Sequence, residues 1–176
     1  MLSLGRGRVY WFGTKNTPEG ESEAPIGRKR ELLERFRDWQ EPVKAAIEAT
    51  EEAAILRNDI YDREPLKEWG AGRVMLLGDA AHPISPHLGQ GACQAIEDAV
   101  VLADSLSKKK DVASALSLYE SLRIPRTSRV VRQSRRIGRI IQLESPFLCR
   151  IRDETIKRMP ARLQQKQLDW ILGHET

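Results

Sequence analysis

The feature that most constrains this chain is a short run, Arg73-Val74-Met75-Leu76-Leu77, that stops abruptly at Gly78-Asp79. A continuous apolar run of this length predicts a strand buried on both faces. A loop rich in Pro and Gly follows, as far as Gly91, and a long helix then begins. Ala92, Ala95, Ile96, Ala99, Val100, Leu102, Ala103 and Leu106 give that helix a wide apolar face. Lys108-Lys109-Lys110 closes it, where the helix dipole favours cations. The strand thus delivers Asp79 to its carboxyl end, where open α/β sheets place ligands. Free N–H groups at the helix start form a site for negative charge. A ligand with polyol and delocalised anionic character satisfies both ends at once. The plainer alternative is an Asp that caps a turn, with the glycines serving as bends.

Upstream, residues 8–12 read as a strand of β-branched and aromatic residues, and residues 13–27 as a flexible loop. A helix is expected from Arg28 to Trp39, with Leu32, Leu33, Phe36 and Trp39 on one face. A second begins at Pro42, with Val43, Ala46 and Ile47 inward. Ala54 to Tyr61 reads as another strand, the evident partner of 8–12. Downstream, helices are expected over 111–122 and 125–143, then helical pieces broken at Pro146 and Pro160.

Hydrophobic residues are 40% and charged residues 31% of the chain, which fits a helical, surface-rich α/β piece and not disorder. The net charge of +4 suits an anionic ligand without requiring one. Cys93 and Cys149 make no CxxC or metal spacing. They read as buried small hydrophobes in a reduced, cytoplasmic setting, with no metal site. No run of about 18 apolar residues exists to span a membrane.

The string from Gly72 to Ala103 resembles the second flavin motif of the class A FAD-dependent monooxygenases, relatives of para-hydroxybenzoate hydroxylase, salicylate hydroxylase and zeaxanthin epoxidase. The matching positions are Gly78-Asp79, Pro86, Gly89-Gln90-Gly91 and the acidic pair Glu97-Asp98. Tyr10-Trp11-Phe12, the stretch Leu56 to Arg63, and Tyr119-Glu120 with Arg123, Pro125 and Arg126 extend the likeness over residues 5–140. It implies FAD as cofactor, with Asp79 accepting hydrogen bonds from the ribityl chain. Pro86 would lie near the ring face where oxygen reacts. Leu88, Gly89, Gln90 and Gly91, with the N–H groups of Ala92 and Cys93, would approach the pyrimidine edge. NAD(P)H would reduce the flavin, and one oxygen atom of O2 would pass to a small organic substrate, aromatic or isoprenoid. The flavin does the chemistry, so no side chain is assigned as catalytic. His82 is read as structural before catalytic, and His87 as a loop residue facing the active site.

The strand–GxGxxG–helix unit that holds the ADP half of FAD is absent from the sequence. The expectation is therefore a partial para-hydroxybenzoate-hydroxylase-like fold, mostly helical after residue 90 and lacking the N-terminal Rossmann unit. Residues 1–65 would end a substrate-domain sheet, 66–143 would form the carboxy-terminal part of the FAD-binding domain, and 144–176 a helical tail. Such a chain should bind FAD weakly or not at all alone and work only with its front half. Arg123, Arg126, Arg129, Arg132, Arg135, Arg136 and Arg139 recur about every third residue as a basic stripe. A solvated face of an amphipathic helix that packs on the flavin domain explains it better than binding to nucleic acid or to an anionic membrane surface, since no aromatic residue interleaves for stacking. The competing functions are a non-catalytic remnant that binds a protein partner and a basic helical module for anionic surfaces.

Overall fold

A computed structural model describes residues 1–21, 26–160, 162–163 and 169–171. The chain divides into two compact units, Met1–Asp59 and Ile60–Thr176.

The first unit opens with a hairpin, β1 (Leu2–Gly5) and β2 (Arg8–Tyr10), paired antiparallel with Leu2 opposite Tyr10. The expected partner of this strand, 54–61, is not a strand: a short 3-10 turn at Glu52–Ala54 leads into irregular chain. The local hairpin satisfies the ladder through a two-residue turn, Arg6-Gly7, so no distant strand is needed. Helix α1 (Arg28–Arg35) follows. Gly27 before it has no side chain to cap it, and Glu52 does so instead, accepting from the backbone N–H of Arg28 (2.7 Å) and Lys29 (3.2 Å). The helix stops four residues before the expected Trp39, which is exposed and stacks edge-on to Phe36. Pro42 disfavours helical geometry just ahead of itself and restarts the chain as α2 (Val43–Ala49). Ile47 on α2 is buried, and Trp11 Nε1 donates to Thr50 Oγ1 at 2.9 Å. Lys15 bridges Glu21 and Glu31, tying the loop to α1.

The second unit is mostly helical. A minimal hairpin, β3 (Gly70–Ala71) and β4 (Val74–Met75), replaces the buried strand expected at 73–77. Val74 is 73% exposed, because β3 is the one strand beside β4 among the described residues and nothing covers its outer face. Helix α3 (Gly91–Lys108) is packed against α4 (Val112–Ile141). The fully buried residues of α3 are polar, namely Gln94, Asp98 and Ser105, while Val101 and Leu102 pack on the core, Ile96 is 66% exposed and Val100 lies outward with it. Asp111 caps α4, accepting from the N–H groups of Ala113 and Ser114.

Two helices were expected between 111 and 143, with a break at Pro125. The structure has one helix of 30 residues with Pro125 inside it. An interior proline removes one helical hydrogen bond and costs about 3 kcal/mol. Ion pairs from Arg123 and Arg126, on both sides of it, tie this part of the helix to α3. Trp69, Ala81 and Tyr119 form the centre of the core, with Leu66, Met75, Leu76, Val101, Leu102 and Ile124 around them. The backbone N–H of Trp69 donates to the Glu120 carboxylate, and Leu76 N–H to the Trp69 carbonyl at 3.0 Å. Helix α5 (Pro146–Arg158) closes the described fold.

Candidate functional site

The loop between β4 and α3 begins with a 3-10 turn at Gly78–Ala80 and holds a second at Pro86–Leu88. Gly78 has φ +60°, a conformation costly for residues with a Cβ, and this bend turns Asp79 outward. Asp79 is exposed. Its neighbours on the inner side are fixed: Ala81 and His82 are buried, and the Arg63 guanidinium donates to the carbonyls of Ala80 and Ala81. Arg135 on α4 in turn pairs with Asp62 and Glu64 on either side of Arg63.

Beneath the loop lies a buried ionic bracket. Asp98 on α3 has no solvent exposure. Its Oδ2 accepts from the Gly78 N–H at 3.0 Å and from His82 Nε2 at 2.6 Å, and its Oδ1 from Arg123 Nε at 2.7 Å. Arg123 also donates to Glu97 Oε2 and to both the side chain and carbonyl of Gln94. Arg126 adds two further bonds to Glu97 and donates to the carbonyls of Trp170 and Ile171. Burial alone would raise the Asp98 pKa, but the bonds from His82, Arg123 and Gly78 outweigh it and hold the carboxyl below its ordinary value. Glu97 behaves likewise, with burial outweighed by Arg126 and Arg123.

The far end of the loop is fastened to α4. Ser134 Oγ donates to the Ser85 carbonyl at 2.7 Å and lies 2.9 Å from Ser85 Oγ. His87 turns toward α4 instead of facing outward: its Nδ1 is 3.2 Å from Ser85 Oγ, and its ring rests on Gly138. Pro86 and Gly89 are exposed, Leu88 and Gly91 half-buried, and Gln90 buried. Gly89 has φ +62° and no atom within 4 Å of where a Cβ would stand, so the turn into α3 is open on its outer side. No side chain caps α3, and Ala92 and Cys93 are exposed in its first turn. Its first helical bond runs from Gln94 N–H to the Gln90 carbonyl, so the preceding amides have no partner within the helix. Cys93 is thus not the buried hydrophobe expected from sequence, and Cys149 is half-buried. The charges and amides fit a cofactor with hydroxyls at one end and an electron-rich ring edge at the other: an outward carboxylate, an unobstructed glycine turn and uncapped amides.

The basic stripe also divides. Arg123 is 1% exposed and Arg126 lies on Glu97, so both belong to the bracket. Arg129 stacks on Trp170, and Arg132, Arg136 and Arg139 point outward. Sequence reasoning saw Glu97-Asp98 as part of a motif and missed their partners. The available signal was an acidic pair within an alanine-rich helix together with Arg123-x-Pro125-Arg126 in the next one.

The loop that carries Asp79 is thus held against two long helices, α3 and α4. The chain belongs to the FAD binding domain family, whose model matches residues 3–134. It is 46% identical over 159 residues to an aurachin C monooxygenase/isomerase of Stigmatella aurantiaca, covering 90% of this chain and 41% of that protein. It is 41% identical over 155 residues to a chloroplastic zeaxanthin epoxidase of an Oncidium hybrid cultivar, covering 82% of this chain and 23% of the other. Klebsiella pneumoniae HpxO, solved with FAD and uric acid, superposes with a TM-score of 0.79 at 34% identity, covering 88% of this chain and 40% of HpxO. The chain therefore spans about two-fifths of the length of the first of these relatives and of HpxO. The family's cofactor is FAD. Among the described residues, no helix is long and apolar enough to cross a membrane.

Proposed function

We propose that this chain is the flavin-ring-binding part of a monooxygenase that uses NAD(P)H and O2 to hydroxylate or epoxidise an aromatic or isoprenoid substrate in a cytoplasmic setting. The observation that carries this reading is the outward Asp79 on a loop whose inner side is locked by Asp98 and Arg123. Asp79 accepts hydrogen bonds from the ribityl hydroxyls. Pro86 stands at the ring face. Leu88, Gly89, Gln90 and Gly91 line the pyrimidine edge, and the amides of Ala92 and Cys93 stabilise negative charge there. His82 keeps its Nε2 on Asp98 and braces the loop. Bound FAD supplies the electron and oxygen-transfer chemistry, while these residues orient it and keep the loop rigid.

The sequence holds no GxGxxG unit for the ADP half. A dinucleotide-binding half, in the same polypeptide or as a partner, completes the cofactor site in this reading. The exposed Ile96 and Val100 on α3 offer it an uncharged apolar face. The test is flavin retention by this chain co-expressed with the first part of the aurachin C relative, for the native sequence and for Asp79→Ala. The native pair should purify yellow, and Asp79→Ala should weaken flavin binding about 10-fold or more, as loss of a hydrogen bond to a charged acceptor does. Equal flavin retention by the two would overturn the assignment.

A further inference from the structure

The corner between α4 and α5 carries a second surface that the flavin site does not use. Arg152 joins the two helices, donating from Nη1 to the carbonyls of Ile140 and Ile141 at 3.3 and 2.8 Å. Cys149 Sγ adds a contact to the Leu143 carbonyl at 3.1 Å. Around this joint five large apolar side chains lie in solvent: Ile140, Ile141, Phe147, Leu148 and Ile151, with Phe147 70% exposed. Phe147, Leu148 and Ile151 share one face of α5 by helical spacing. That face continues into an open groove of about 680 Å³, with Ile151, Thr155, Met159 and Leu163 among its lining residues.

The charge beside it is mainly positive, with Glu144 in the connection between the helices and Glu154 in the groove as acidic neighbours. Arg132, Arg136 and Arg139 stand at i, i+4 and i+7 on the outer face of α4, and Arg150 lies on α5 next to Ile151. All four are exposed and make no ion pair among the described residues. The acidic residues of α5 are already engaged, Asp153 by Arg152 and Glu154 by Lys157 and Arg158. The outward face of α3 differs, since Ile96 and Val100 lie among alanines there with no arginine in the helix. Unpaired guanidiniums bordering protruding Phe, Leu and Ile match the chemistry of an anionic bilayer surface, with cations at the headgroups and apolar side chains below them.

We propose that the α4–α5 corner docks on membranes rich in anionic phospholipid, lying on the surface without crossing it. The proposal does not rest on flavin binding. It is tested by co-sedimentation of the full chain with phosphatidylcholine vesicles containing or lacking phosphatidylglycerol. Binding should need the anionic lipid and weaken steeply as salt rises. Arg136→Gln and Arg139→Gln should each weaken it about 5-fold, as removal of one surface cation does. Phe147→Glu with Ile151→Glu should abolish it while circular dichroism and the unfolding midpoint stay unchanged, whereas Ile96→Gln on α3 should leave it intact. Failure to sediment with anionic vesicles overturns the proposal. So does sedimentation that survives Phe147→Glu/Ile151→Glu, or that Ile96→Gln abolishes. Concentration-dependent dimerisation in lipid-free buffer that Phe147→Glu removes would assign the corner to a second copy and overturn it equally.

Discussion

Arg123 Nε donates to Asp98 Oδ1 at 2.7 Å, and neither side chain is more than 1% exposed. The pair joins the middle of α4 to α3, and through the other carboxylate oxygen it reaches Gly78, the first residue of the loop between β4 and α3. A buried carboxylate this fully bonded acts as a fixed post: the backbone of Gly78 cannot shift without leaving a charge short of partners.

Removing one member of the pair leaves the other charged and buried. Arg123→Leu should lower unfolding free energy by about 3–5 kcal/mol. Replacing both, as Arg123→Leu with Asp98→Leu, should recover part of the loss, since the Arg123–Asp98 charges go together while Gly78 N–H and His82 Nε2 lose their acceptor. Urea unfolding of the three proteins measures this, and a double variant as unstable as the single one contradicts it.

Acid should loosen the same bracket. The folded-state pKa of Asp98 lies below its ordinary 3.8, and that of Glu97 below 4.5. A depressed carboxyl contributes stability that is fully present above the unfolded value and lost as pH falls through the folded one. The unfolding midpoint should therefore decline as pH drops below the ordinary carboxyl range. His82, Arg123 and Gly78 N–H face Asp98 and keep it charged until that range is passed. Asp98→Asn should be less stable at neutral pH and show a flatter acid limb.

Gly138 should not tolerate a methyl group. A Cβ there would stand 2.7 Å from His87 Cε1. Gly138→Ala would ordinarily stabilise an α-helix by about 1 kcal/mol. Here it should destabilise by about 1–3 kcal/mol through overpacking. In a His87→Ala background the sign should reverse. Thermal unfolding of the four proteins in this cycle reads the coupling directly.

Thiol labelling should distinguish the two cysteines. Cys93 is exposed in the first turn of α3, while Cys149 is half-buried and donates to a carbonyl. A thiol reagent should modify Cys93 first, and FAD bound in the completed site should slow that reaction and leave Cys149 unchanged.

The loop between β4 and α3 was legible in the sequence because its signals are local. A glycine before Asp79, prolines, and a glycine pair opening an alanine-rich helix each restrict the backbone within a few residues. Arg123 was misread because periodicity reports which helix face a residue occupies and not what that face meets. The stripe containing it enters the interior at one end and solvent at the other. Pro125 signalled a break because local propensity opposes it, but Arg123 and Arg126 clamp both sides to Glu97. The apolar run 74–77 implied burial by neighbours, and its one described strand partner is β3. The face of Ile96 and Val100 was likewise apolar by pattern and outward in the structure.

Because α4 runs unbroken past Pro125, one helix holds both ends of the loop before α3: Arg123 at its beginning, through Asp98, and Ser134 and Gly138 at its close. At 1.5 Å per residue those grips sit about 16–22 Å apart on one ruler. One residue inserted or deleted between them would rotate the second grip by about 100° relative to the first. Relatives that keep this loop should accordingly vary in the identity of residues 124–133 but never in their number.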